Sequence, residues 1–184
     1  MLYSPPMTMR ALPFCLLILM AISALGQEHR ASPLSITTSR YKSTYVKIVY
    51  SQPQKNGRVV FGGLVPYGQV WRTGANEATE ITLTGDVLLS GQLLRAGTYS
   101  IFTIPNERQW TIIINADLGL WGSYNYNPKR DVLRLEVPSM TTQDVAEAFT
   151  IGIDARNNKA GIYLHWDKTK VVIPVEYKEP DAIP

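Results

Sequence analysis

The chain has 184 residues, with 18 Lys and Arg against 15 Asp and Glu, and 45% of its residues are hydrophobic. The formal charge of +3 is scattered, with no basic run of five, which argues against the electrostatic footprint of a nucleic-acid or membrane-surface binder. One cysteine, Cys15, and two distant histidines, His29 and His165, exclude a disulfide framework, a Cys-ligated metal and a His-rich metal site, so neither metal nor organic cofactor is expected.

In chain order, residues 12–25 form a short apolar run preceded by Arg10 and ending in the small residues Ser23, Ala24 and Gly26. This pattern predicts a signal peptide over residues 1–26, cleaved before Gln27. The run is too short for a permanent anchor, which needs roughly 20 apolar residues. No cysteine follows the small residues to take a lipid, so no stable membrane anchor is expected after cleavage. The expected product is periplasmic or extracellular. Cleavage would leave 184 − 26 = 158 residues with 18 − 1 = 17 basic and 15 acidic groups, enough for one core. Residues 27–32 read as a flexible leader, 33–178 as a single β-sandwich domain and 179–184 as a tail.

Within that domain the dominant period is two. Residues 34–39 and 45–50 are predicted strands, followed by a turn at 53–57 and a short strand at 59–61. The glycine-rich stretch 62–79 reads as a long irregular loop, and strands follow at 80–84 and 87–89. The strand 98–104 is stopped by Pro105, and the next places Trp110, Ile112 and Ile114 on one face. A second irregular stretch covers 116–130. After it, Leu133, Leu135 and Val137 alternate, as do Phe149, Ile151 and Ile153, then Ile162, Leu164 and Trp166, then Val171, Ile173 and Val175. Residues 142–148 offer a helical turn, and 167–169 a turn between strands. Roughly ten short strands with frequent turns indicate an all-β fold, an antiparallel β-sandwich or jelly-roll-like barrel. Trp110 and Trp166 fall on regular apolar faces and are expected in the core, and His165, on the opposite face, is expected to meet solvent.

The polar and aromatic residues that a strand pattern does not use collect in the two irregular stretches. The first, 65–79, reads VPYGQVWRTGANEAT and carries Tyr67, Trp71, Arg72, Asn76 and Glu77; the second carries Trp121, Tyr124 and Tyr126. An arginine fork can hold a carboxylate or phosphate in two parallel hydrogen bonds, Asn and Glu can orient hydroxyls, and exposed aromatic faces can stack on sugar rings. These eight residues form the candidate ligand site, with carbohydrate or another small polar molecule as the expected partner. The structural alternative is that Arg72 and Glu77 pair with each other, or with Asp131 and Arg134, to lock the loop, and that the aromatics only pack the loops down.

The 65–79 block, followed by LRAGTY at 94–99, Trp110 and WGSYNY at 121–126, resembles the DUF2911 family of bacterial exported proteins. The likeness spans about residues 34–177. That family has no defined function, so the resemblance implies an exported domain and lends no catalytic residues.

Two other functional readings stand beside a binding module. A hydrolase would use Glu77 with a second carboxylate from among Glu80, Asp86, Asp117 and Asp131, which requires two carboxyls at a defined separation, one with a raised pKa. A structural envelope protein would need the signature only to hold the fold. No phosphate loop, dinucleotide fingerprint or nucleophile elbow is present, and the S-x-x-K match at Ser39 lacks its partner motifs. Nothing in the pattern sets an oligomeric state.

Overall fold

The period-two alternation resolves into nine antiparallel strands in the computed structural model, which describes residues 30–178. They are β1 (Leu34–Tyr41), β2 (Thr44–Ser51), β3 (Ala75–Leu83), β4 (Val87–Leu89), β5 (Gln92–Leu94), β6 (Gly97–Ile104), β7 (Gln109–Asn115), β8 (Asp131–Arg156) and β9 (Lys159–Tyr177). The expected signal peptide with Cys15, residues 27–29 of the leader with His29, and the tail 179–184 lie outside the described residues.

Hydrogen bonding links the strands in the order β1-β2-β3-β6-β7-β8-β9-β4-β5. The sheet does not close into a barrel, which removes that half of the expectation and leaves the sandwich. Its fold-over depends on β8. From Asp131 this strand pairs with β7 as far as Pro138, whose missing N–H suits the end of a ladder; from Ser139 onward it pairs with β9. The two ends of the sheet then face each other across the core. Tyr50 Oη of β2 accepts from Ile151 N of β8 at 3.1 Å and donates to Ile151 O at 3.4 Å. Tyr177 Oη of β9 donates to Ser39 Oγ of β1 at 2.8 Å.

Inward-facing residues of both layers form one large apolar cluster, including Val46, Ile48, Ile81, Ile112, Leu135, Ile162 and Ile173. Near one end of it five aromatic rings meet. Phe61 lies 4.8 Å from Trp110, Trp71 lies 5.0 Å from Phe149, and Trp71 stacks on Trp166 at 6.0 Å. Trp110 and Trp166 are in the core, as their alternation predicts. His165 is only half-buried, and its Nε2 lies 3.1 Å from Thr142 Oγ1.

The structure departs from the expected elements in several places, and β3 begins at Ala75, inside the stretch expected as loop. Strands β8 and β9 run for 26 and 19 residues, so the final third is one long hairpin rather than several short strands. Residues 142–148 are not a helical turn but a bulged part of β8, with register shifts between Thr141, Ala146 and Thr150. Bridging of Ala148 to Gln54 holds that segment extended, so tertiary pairing overrides the local helical preference. The expected turn at 167–169 is a kink inside β9, where Asp167 takes φ 53° and its carboxylate binds Lys55 Nζ at 2.6 Å. Residues 59–61 do not form a strand, because Val60 and Phe61 pack into the core from tight turns closed by Leu64 N–Val59 O and Val65 N–Val60 O hydrogen bonds.

Two substitutions test this packing by chemical denaturation. Trp71→Ala removes a ring from the aromatic cluster and is expected to cost about 3–5 kcal/mol. Tyr50→Phe leaves the buried Ile151 N–H without its acceptor and is expected to cost about 1–3 kcal/mol. A Tyr50→Phe protein as stable as the parent would show that this bridge does not hold the layers together.

Candidate functional site

The loop between Trp71 and Thr79 is closed by its own hydrogen bonds. Trp71 exchanges both backbone hydrogen bonds with Thr103 of β6, at 2.8 and 2.9 Å, and its Nε1 donates to Gly74 O at 3.0 Å. The buried Thr73 adopts φ 58° and donates from Oγ1 to Thr103 Oγ1 at 3.2 Å. Thr79 completes the closure, donating from N to Arg72 O at 3.1 Å and from Oγ1 to Thr73 O at 2.6 Å. Gly74 is required by close approach, since a Cβ there would stand 2.9 Å from Ser51 O.

Arg72 is thus held between two buried neighbours, and its own side chain borders a cleft of about 420 Å³. That volume lies within the roughly 300–1,000 Å³ usual for small-molecule sites. The guanidinium is half-buried, its Nε is fully buried without a hydrogen-bond partner, and none of the ion pairs among the described residues includes it. Burial lowers its pKa while nearby Tyr124 raises it, and a guanidinium stays charged through both. The buried Trp71, Trp166 and Val65 lie behind the cleft, and Leu64 is its exposed apolar side chain. Asn76, at φ 56°, presents an amide held only by long contacts, 3.4 Å to Ser32 O and 3.5 Å to Ser51 Oγ.

A second arginine stands at the same cleft. Arg58 donates from Nε to Lys55 O at 2.9 Å and from Nη2 to Gln54 O at 2.6 Å, which fixes its head group without neutralising it. Among the described residues no acidic side chain lines the cleft, and their charges there are the two arginines.

The second irregular stretch docks onto the first. Glu77 and Trp121 form a backbone bridge, Gly122 N donates to Asn76 O at 2.9 Å, and Ala78 N donates to Leu120 O at 2.8 Å. Asp131 anchors the far end of the stretch, accepting Tyr126 Oη at 2.7 Å and Asn115 Nδ2 at 2.8 Å, with Arg134 Nη1 at 3.4 Å. Asp131 and Arg134 therefore pair with each other and not with Arg72, which removes that version of the loop lock.

The structure separates the eight sequence candidates into groups. Trp71, Arg72 and Asn76 border the cleft, with Tyr124 close enough to Arg72 to act on it electrostatically. Trp71, expected as an open ring, is only 7% exposed. Tyr124 is 84% exposed, its ring lying over Gly122, and Trp121 is 58% exposed. Tyr126 instead packs on Phe102 at 5.0 Å in a minor core on the other side of the sheet, and Tyr67 lies against Gly62, away from the cleft. Glu77 accepts from Ser51 Oγ at 3.4 Å and borders a second pocket of about 190 Å³ together with Glu80. Glu80 is engaged there by Gly119 N at 2.9 Å, and the rest of the lining includes Leu34, Val49 and Ala78. Gln54, Asn56 and Arg58 reach the cleft from a segment whose sequence reads as an ordinary turn, so only their unusual density of amides and base could have marked them.

Burial and the hydrogen bond to Asp131 push the Tyr126 phenol up to about 12 from an ordinary value of 10. The neutral phenol is the form the fold prefers, so its stabilisation is complete below about pH 10 and is lost as pH rises toward 12. Denaturation midpoints should show the parent losing its advantage over Tyr126→Phe across that interval; an advantage independent of pH would contradict the Asp131 contact.

Comparison with known proteins gives one family match, described as "Protein of unknown function (DUF2911)", over residues 32–175. No curated protein and no solved structure matches the chain. With most of its length matched by that one family, including both loops of the candidate site, the chain belongs to the DUF2911 family.

Proposed function

We propose that this protein is an exported, non-catalytic module that binds a small polar molecule in the cleft beside Arg72. The observation that carries the reading is the Arg72 guanidinium, half-buried at a cleft of ligand size with its Nε unpartnered. The guanidinium makes no ion pair among the described residues, so an acceptor supplied by a ligand would satisfy the part of the head group that borders the cleft. The weakly held Asn76 amide and the exposed Leu64 side chain suit a molecule with both hydroxyls and apolar faces, such as a sugar. The exposed Tyr124, which lies near Arg72, offers an aromatic face from the second loop.

The hydrolase reading rests on Glu77 and Glu80 sharing the smaller pocket, but there a backbone N–H already occupies Glu80 and apolar groups make up much of the lining. The Arg72 cleft offers more room and, among the described residues, has no acidic side chain in its lining.

Thermal unfolding with a panel of neutral sugars and small carboxylates tests the binding reading. A ligand at about 100 times its Kd adds roughly 2.7 kcal/mol to stability. The expected result is a raised midpoint for the parent with at least one member, and none with that member for Arg72→Ala or Asn76→Ala. A shift that persists in both variants would move binding away from this cleft, and no shift with any member would contradict the reading.

A further inference from the structure

We infer that the ligand of this cleft is an organic carboxylate, a sugar acid rather than a neutral sugar, with its carboxylate seated on Arg72; this rests on the binding reading above. The first support is charge. Among the described residues Arg58 and Arg72 line the cleft and no Asp or Glu does, a charge balance that an anionic ligand offsets and a neutral one does not.

The second support is geometry. Arg58 has Nε and Nη2 committed to backbone carbonyls, so it contributes mainly field. Arg72 has its Nε enclosed by the protein, so the remainder of its guanidinium is what a ligand in the cleft can reach, and its loop backbone is fixed by the Trp71–Thr103 and Thr79–Arg72 hydrogen bonds. A single planar fork of this kind matches the two oxygens of a carboxylate. The described side-chain donors at the cleft include guanidinium, amide and hydroxyl groups, and the exposed Leu64 side chain favours an organic body over a bare inorganic anion. Half-burial of the guanidinium strengthens such a pair relative to one in open solvent.

The test uses protein purified after expression of the full chain and labelled with ¹⁵N, with the Arg72 Nε–H resonance assigned by its disappearance in Arg72→Lys. It is titrated separately with D-glucuronate, D-glucose and inorganic phosphate. The expected result is a saturable shift with glucuronate, at least about tenfold weaker binding of glucose, and roughly 10- to 100-fold weaker glucuronate binding by Arg72→Lys. Glucose binding as tightly as glucuronate would overturn the carboxylate inference while leaving the binding reading intact. Saturation by phosphate in preference to glucuronate would overturn it in favour of an inorganic anion. No movement of the resonance with any of the three would overturn it, and the sugar panel would then decide the binding reading separately.

Discussion

The candidate site depends on the burial of Trp71. Its indole lies among Phe61, Trp110, Phe149 and Trp166, and its backbone is bridged to Thr103 in β6. Arg72 follows directly, so a residue anchored in the core places a guanidinium at the surface of the same core. The loop that follows is closed within itself by Thr73, Gly74 and Thr79, which leaves Arg72 little freedom of backbone position. A charged group held this way is preorganised, and the cost of its partial desolvation is borne by the aromatic packing behind it.

The long β8–β9 hairpin gives that arrangement its second wall. Because β8 leaves β7 at Pro138 and pairs onward with β9, its later half returns over β2 and the segment after it. Hydrogen bonds from Phe149 N to Pro53 O and from Lys55 N to Glu147 O pin residues 53–55 to β8, and the Lys55–Asp167 pair ties them to the kink in β9. Arg58 is fixed in turn by the carbonyls of Gln54 and Lys55. The same fold-over that buries the core therefore brings the second cation to the cleft.

Much of this was legible in the sequence, and the parts that were not have identifiable causes. Alternation at Trp110–Ile112–Ile114 and Ile162–Leu164–Trp166 placed those residues in the core, because a two-residue period on a half-buried strand leaves little freedom. The beginning of β3 was hidden because Asn76 breaks the period: its positive φ and the register shift opposite Val49 and Ser51 put two half-buried polar residues in succession. Trp71 and Tyr126 read as loop aromatics open to ligand, yet the first is in the main core and the second in the minor one; position in a loop does not reveal which face a ring takes. The contribution of Arg58 depended on contacts between residues about 90 apart, such as Asn56 N to Glu147 Oε1, and no local pattern encodes those.

The central claim is that Arg72 serves a ligand and not the fold, and the most direct measurement is the stability of ligand-free Arg72→Met against the parent by chemical denaturation. Methionine keeps much of the side-chain stem and removes the unpartnered buried Nε–H, so the account predicts a protein as stable as the parent or more so. A loss of about 3–5 kcal/mol, the scale for breaking a buried ion pair, would contradict it and make Arg72 a structural residue.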